Sequence, residues 1–135
     1  MILLDTNAVI AALNDRPRKV ADKIAARLTA GDHIVMSSVV MFELWFGIAN
    51  SAHRLANEAQ LRRFLSGAIE VLPFDHDDAA AAGELRAALA VFGTPFGPYD
   101  VLIAGQALRH KATLVTANTR EFKRVKGLKV EDWGR

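Results

Sequence analysis

The chain has 135 residues, no cysteine and a formal net charge of +2; 51% of its residues are hydrophobic and 24% are charged. This composition excludes an intrinsically disordered, collagen-like or coiled-coil protein, and the lack of cysteine excludes disulfide scaffolds, cysteine nucleophiles and thiolate metal sites. A chain of this size buries about two-thirds of the surface that its unfolded form exposes. We therefore expect a single domain over residues 1–135.

The sequence shows neither an export signal nor a membrane span. Met1 leads directly into an apolar run without a basic leader or a small-residue cleavage site. The longest apolar stretch, residues 39–49, contains Glu43 and falls well short of the ~20 residues that cross a bilayer. We expect a soluble, cytoplasmic protein with no membrane association, for which a cysteine-free composition is suitable.

Short apolar runs alternate with longer helical patterns along the chain. Residues 1–4 are typical of a buried strand, 8–13 of a short helix, 18–30 of a helix that begins near Pro17, and 33–36 of a second strand. Ser37 or Ser38 caps a helix that ends near Asn50. A helix at 55–65, a strand at 69–72, an alanine-rich helix opened by Asp75, a helix at 99–110, a strand at 113–116 and a short piece ending near Val130 follow. The alternation predicts an α/β fold, a central parallel sheet with helices on both faces.

Polar residues follow the first and the last of these predicted strands. Asp5 follows the first strand, and Thr116 and Asn118 lie at the end of the last. Ligands of such folds bind at the carboxyl ends of the parallel strands. This edge of the sheet is therefore the expected functional crevice.

Two further acids stand in apolar surroundings. Glu43 lies in a helix that is apolar on almost every side, with no Lys or Arg three or four residues away, and such a helix is expected to be buried. A buried carboxylate needs a partner, a proton or a metal ion. Asp100 has similar neighbours. The structural alternatives are a distant Arg partner for Glu43 and a helix N-cap role for Asp100 and for Asp5.

Taken together, the three acids predict a metal site. Carboxylates that converge in one crevice repel one another, so their ionised forms require positive charge. Oxygen ligands without cysteine or paired histidines favour Mg²⁺ or Mn²⁺ over zinc. Mg²⁺ can activate a bound water as a nucleophile, which suits phosphodiester hydrolysis. Between Arg109 and Lys129 stand seven basic residues and one acid, Glu121, and this basic edge suits the rest of a polyanion.

The sequence also contains four blocks that resemble a known family: MILLDTN, SSVVMFELWFGI, GTPFGPYDVLIAGQAL and TLVTANTREFKRVKGLKVEDW. Together they resemble PIN-domain ribonucleases, and specifically toxins of the VapC type. The resemblance runs from the first residue to the last few and implies a PIN-like fold, in agreement with the parallel-sheet architecture predicted above.

The resemblance also implies roles for individual residues. Asp5, Glu43 and Asp100 match the metal-binding acids of the family, with Mg²⁺ as the cofactor and Mn²⁺ as a substitute. Asn118 matches a fourth catalytic position, at which many members carry Asp; an Asn brings no charge. Small hydroxyl positions that could orient water are matched by Thr6 and Thr116. Basic residues that could contact the RNA backbone are Arg120, Lys123, Arg124 and Lys126.

The implied activity is endonucleolytic cleavage of RNA by water, which leaves a 5′-phosphate and a 3′-hydroxyl. Members of this family pair as homodimers and are silenced by a small antitoxin of the VapB type, which inserts a segment into the acidic crevice. Such an antitoxin would be a separate protein and would form a toxin–antitoxin hetero-oligomer with this chain.

Two other functions are compatible with parts of the pattern. A haloacid-dehalogenase-type phosphatase also places Asp after its first strand but expects a second Asp two residues later, where this chain has Asn7. In a catalytically inactive PIN-like module that binds RNA or a protein partner, the acids would be vestigial or would serve only to receive an Arg of the partner. Metal binding and RNA cleavage by the isolated chain would distinguish the enzyme from such a module.

Overall fold

The computed structural model describes residues 1–93 and 95–135. The glycines and prolines of residues 93–98 predict a loop, and Thr94 within it lies outside the described residues. The described elements are, in chain order, β1 (Ile2–Leu4), α1 (Thr6–Asn14), α2 (Arg18–Thr29), β2 (Ile34–Ser37), α3 (Ser38–Ala49), α4 (Arg54–Leu65), β3 (Glu70–Leu72), α5 (His76–Ala90), α6 (Pro98–Arg109), β4 (Thr113–Val115), α7 (Thr119–Phe122) and β5 (Lys129–Glu131).

The strands form one five-stranded sheet in the order β3-β2-β1-β4-β5, and every neighbouring pair is parallel. The predicted α/β fold with a central parallel sheet is thereby confirmed. After β1 the chain continues to β2 and β3 on one side of the sheet and then crosses to β4 on the other. The strand order therefore reverses between β1 and β4, and in open parallel sheets ligands bind at this reversal.

Local sequence explains where the main helices begin. Asp5, Ser37 and Asp75 are the N-caps of α1, α3 and α5, and each accepts a hydrogen bond from a backbone N–H of the first turn. Asp75 and Asp78 form a complete capping box, as the spacing of the two acids predicts. Pro98 occupies the first turn of α6, where a proline without an N–H is tolerated.

The end of the chain differs from the sequence prediction. Residues near 119–122 form the short helix α7, and the piece expected to end near Val130 is a fifth strand, paired in parallel with β4 through Thr113 and Lys129. Strand β5 has the sequence Lys-Val-Glu and so lacks the apolar run from which the other short strands are predicted. Phe122 and Trp133 are buried and join this segment to the core.

The core fills the space around the central strands. Leu3, Leu4, Val35, Met36 and Leu114 are completely or almost completely buried. These runs are apolar on both faces of the sheet, as is typical of parallel strands covered by helices. Within the described residues, no helix is long and apolar enough to cross a membrane.

Candidate active site

Asp5 lies at the reversal of the strand order, directly after β1. Its backbone N–H donates to the Val115 carbonyl at 3.0 Å, which ties the residue to the end of β4. Its Oδ1 accepts from the Ala8 N–H at 2.8 Å as the N-cap of α1. The residue is only 4% exposed. Asp5 is therefore the N-cap of α1, as the structural alternative predicts. Because the cap uses only one oxygen of the carboxylate, the same residue can also belong to a site.

Burial and neighbouring acids make Asp5 a weaker acid than usual. Desolvation is the largest cause, and the negative charges of Asp100 and Glu43 act in the same direction; the hydrogen bonds from Thr116 and Ala8 oppose them. Together they raise the pKa of Asp5 to about 6. A cation beside this carboxyl would favour its ionised form and so lower the pKa of Asp5 again.

Glu43 lies on α3 and faces the same crevice. The hydroxyl of Thr6 donates to its Oε1 at 2.6 Å, and no ion pair to Glu43 is present in the described part of the chain. The distant Arg partner considered from the sequence is therefore absent. The expectation of a helix buried on every side was wrong, because Phe42 is 54% and Phe46 64% exposed. Glu43 is half-buried, between the exposed residues Phe42 and Phe46 of α3.

Asp100 occupies the first turn of α6 rather than its N-cap, which is Gly97, so the capping alternative was wrong for this residue. Partial burial and the charges of Glu121 and Glu43 raise the pKa of Asp100. Gly97 also makes room for the carboxylate, since a Cβ there would lie 2.7 Å from Asp100 Oδ2. The charge of Asp100 thus interacts with the charges of two other acids, Glu43 and Glu121.

Glu121 is an acid of the same region that the sequence analysis did not single out as a candidate site residue. Its Oε1 accepts from the Gly97 N–H at 3.2 Å, and its Oε2 accepts from the Asn118 amide at 2.8 Å. The Asn118 N–H in turn donates to the buried hydroxyl of Thr116 at 2.9 Å. The available signal was that Glu121 is the one acid in a basic stretch and stands three residues after Asn118.

The four acids form a row along the carboxyl edge of the sheet, which we call the acid row. Its members are Asp5, Glu43, Asp100 and Glu121. In the described ranges, no three acidic or histidine side chains converge closely enough to hold a metal ion as they stand. The donor set nevertheless fits a hard divalent cation, because it is made of carboxylate oxygens, and burial and the neighbouring acids disfavour ionisation of Asp5 and Asp100 without one. Binding would require the side chains to draw together.

The four basic residues predicted to contact the RNA backbone fall into two groups in the structure. Arg120 and Arg124 line an open cavity of about 590 Å³ beside the acid row, together with Pro95, Asn118 and Glu121. Lys123 and Lys126 are exposed and do not line it. Phe42 and Tyr99 stand next to Glu43 and Asp100 in sequence, and their exposed rings have centroids 5.5 Å apart.

Fold and site together define a class of protein. The family model described as "PIN domain" matches residues 2–128. The chain therefore belongs to the PIN-domain family, as its sequence blocks indicate. The phosphatase alternative is excluded by this membership.

Within that family, the chain is similar to endonucleases named VapC. It is 40% identical to the tRNA(fMet)-specific endonuclease VapC of Shigella flexneri and 37% identical to that of Salmonella typhimurium, in each case over 97% of this chain and 96% of the relative. It also resembles a chain in the crystal structure of VapBC2 from Rickettsia felis bound to a DNA fragment from their promoter. That match has a TM-score of 0.91 and 35% identity, and covers 98% of this chain and 99% of the other.

Proposed function

We propose that this chain is a metal-dependent endoribonuclease and the toxin of a toxin–antitoxin pair. The observation that carries the proposal is the acid row, in which Asp5 and Asp100 each have a raised pKa caused partly by the other acids. Such coupled, perturbed groups in a crevice are typical of catalytic sites. The similarity over nearly the full length to VapC endonucleases supports the same function.

In this proposal Asp5, Glu43 and Asp100 hold Mg²⁺, with Mn²⁺ as a substitute, and Glu121 supplies the negative charge that Asn118 lacks. When bound, the ion makes water a stronger nucleophile near neutral pH and neutralises charge on the phosphate under attack. A row of oxygen donors with no sulfur ligand suits these two ions.

The surrounding residues hold the acids in place. Thr6 donates to Oε1 of Glu43, and no hydrogen bond within the described residues engages its other oxygen. Ala8 N–H and Thr116 hold Asp5 in the same way. Thr6 and Thr116 are thus positioning residues, close enough to the acids to orient the attacking water. Attack on the phosphodiester with departure of the 3′-oxygen leaves a 5′-phosphate and a 3′-hydroxyl.

RNA would be held by positive charge on the flank of the acid row. We assign this role to Arg120, Lys123, Arg124 and Lys126, which follow Asn118 in sequence. Because related endonucleases are named for tRNA(fMet), this tRNA is the first substrate to test. For an RNA substrate of this kind, we propose a cytoplasmic location.

The partner proposed for this chain is a VapB-type antitoxin, supported by the likeness to VapBC complexes, within a hetero-oligomer built on a toxin homodimer. The exposed rings of Phe42 and Phe46 lie beside Glu43 on α3 and give protein partners an apolar surface next to the acids. Trp45 is less available, because the Arg62 guanidinium lies 5.4 Å from its ring centroid.

Cleavage of end-labelled RNA by the purified chain tests the proposal. The substrates are tRNA(fMet), total tRNA and ribosomal RNA, each with Mg²⁺, Mn²⁺ or EDTA, and the variants are Asp5→Asn and Asp100→Asn. We expect discrete cuts that disappear with EDTA and in both variants. As a control, Lys129→Gln changes an exposed residue at the amino end of β5, away from the acid row, and should cut like the wild type.

The catalytically inactive module gives a different result. A protein of that kind would bind its partner or RNA tightly, bind no Mg²⁺ in a calorimetric titration and cut none of the substrates. Cuts that persist in both variants would also contradict the assignment of the acids, provided that an unrelated protein purified in parallel gives no such cuts. If that protein gives the same cuts, a contaminating nuclease makes them.

A further inference from the structure

The open cavity lined by Arg120 and Arg124 is a second feature of the site, distinct from the acid row. It has a volume of about 590 Å³ and shares Glu121 with the row. An RNA strand whose scissile phosphate lies at the acids must continue past one side of them. Because Glu121 belongs to both, this cavity lies directly next to the acids.

The two arginines differ in how they are held. The Arg124 guanidinium donates through Nη1 to the Pro95 carbonyl at 3.2 Å and lies 5.3 Å from the Phe96 ring centroid. These contacts fix its orientation at the cavity wall. Arg120 is exposed, and its side chain makes no hydrogen bond or ion pair with any residue that the structure describes. One guanidinium is therefore preorganised and the other is available to a ligand.

In the cavity, these guanidinium groups lie beside the Glu121 carboxylate, which already accepts hydrogen bonds from within the chain. Both oxygens of Glu121 accept hydrogen bonds within the chain, from Gly97 and from Asn118. The donors needed by an incoming anion are thus provided by Arg120 and Arg124, whose planar forks match phosphate oxygens.

We propose that this cavity is the binding site for an RNA phosphate adjacent to the scissile one, with Arg120 and Arg124 as its ligands. The proposal rests on the proposed ribonuclease function and narrows it, because Lys123 and Lys126 lie outside the cavity. A guanidinium pair beside the acids would fix which phosphate reaches them. Both arginines are then binding residues that determine the position of the cut.

The test compares Arg120→Gln with Lys126→Gln and Lys129→Gln, which remove the same charge outside the cavity. Binding of a fluorescent single-stranded RNA of mixed sequence is measured by anisotropy in EDTA at several salt concentrations. We expect Arg120→Gln to weaken binding about tenfold and to lower the slope of log affinity against log salt by about 0.7, the value for one phosphate contact on a single strand. The lysine variants should change the affinity less than Arg120→Gln does.

Arg124→Gln should reproduce the effect of Arg120→Gln, but it can also disturb the loop at Pro95 and Phe96. Arg120→Gln removes no hydrogen bond or ion pair to any described residue and is therefore the deciding variant. In cleavage with Mg²⁺, we expect Arg120→Gln to raise KM more than it lowers kcat.

Three outcomes would overturn the proposal. Equal losses in the arginine and lysine variants would show a diffuse charge effect. Wild-type RNA binding and cleavage by Arg120→Gln would remove the subsite while leaving the ribonuclease function intact. Wild-type RNA binding combined with weakened binding of a glutamate-rich peptide would assign the cavity to an acidic protein segment. Failure of the wild-type chain to cut any RNA would instead contradict the proposed function itself.

Discussion

The side-chain amide of Asn118 donates to Glu121 Oε2 at 2.8 Å. The residue at the expected position of a fourth acid therefore holds a carboxylate that stands three residues later. Glu121 also accepts from the Gly97 N–H and raises the pKa of Asp100. In the proposed function, Glu121 therefore supplies the negative charge that residue 118 lacks.

Substitution Glu121→Gln should separate charge from shape at this position. Glutamine keeps the size and one accepting oxygen, so folding should be preserved, while the row loses a negative charge. We expect the Mg²⁺ concentration for half-maximal cleavage to rise between about ten- and a hundredfold, as for other groups that support metal ligands. Metal titrations of the cleavage rate measure this. An unchanged Mg²⁺ requirement would exclude Glu121 from the site.

Substitution Asn118→Asp should reveal the role of the amide. Aspartate removes the donor and places a like charge beside Glu121. We expect the free energy of unfolding in EDTA to fall by about 1 kcal/mol, roughly one hydrogen bond. Mg²⁺ should then stabilise the variant more than it stabilises the wild type, because the added charge is neutralised. Thermal unfolding with and without Mg²⁺ tests both parts, and identical melting of the two proteins in EDTA would contradict them.

Asp5 should destabilise the metal-free protein at neutral pH. Its pKa is about 6 in the folded chain against an ordinary value of 3.8, so the folded state binds the proton more tightly. This favourable contribution is fully present below pH 3.8 and is lost as the pH rises through 6. A shift of this size corresponds to about 3 kcal/mol as an upper estimate. Asp5→Asn keeps a good N-cap and has no such charge.

We therefore expect Asp5→Asn to be more stable than the wild type at pH 7 in EDTA, by up to about 3 kcal/mol, with a difference that shrinks toward pH 4. Urea unfolding at both pH values measures it. A variant that is no more stable at pH 7, or whose advantage does not change with pH, would contradict the electrostatic account.

The parts of the fold and site that the sequence predicted are those with strong local signals. Asp5, at the end of an apolar run, and the capping box of Asp75 and Asp78 follow from neighbouring residues. The role of Glu121 depends on the backbone N–H of Gly97, which is 24 residues away, and no local pattern reports it. The exposure of Phe46 was missed for a related reason, since an apolar helix at the boundary of a domain has the same composition as one in its core.

Helix α6, which carries Asp100, packs closely against α5. This contact leads to a specific prediction about stability. A Cβ on Gly105 would lie 2.5 Å from Ala82 Cα and 2.7 Å from Ala82 N, which are backbone atoms that cannot rotate away. Gly105→Ala should therefore force the helices apart and lower the free energy of unfolding by about 1–3 kcal/mol. Gly83→Ala is the matched control, because among the described residues nothing lies within 4 Å of its Cβ position. That helical substitution should stabilise by about 0.5–1 kcal/mol.

Gly97 makes the last prediction, because it leaves the space that the Asp100 carboxylate occupies. An alanine Cβ there would lie 2.7 Å from Asp100 Oδ2, and this side chain can rotate away, unlike the backbone atoms near Gly105. The Gly97→Ala protein should therefore fold with nearly wild-type stability, while the carboxylate of Asp100 is displaced. Misplacement of a catalytic group by about 1 Å lowers activity on the order of a hundredfold, and we expect a loss of that size in Mg²⁺-dependent cleavage. Gly47→Ala, at a position on α3 where no described atom lies within 4 Å of the added Cβ, should cut RNA normally. A Gly97→Ala protein with full activity would show that the conformation of Asp100 seen here is not the one that acts.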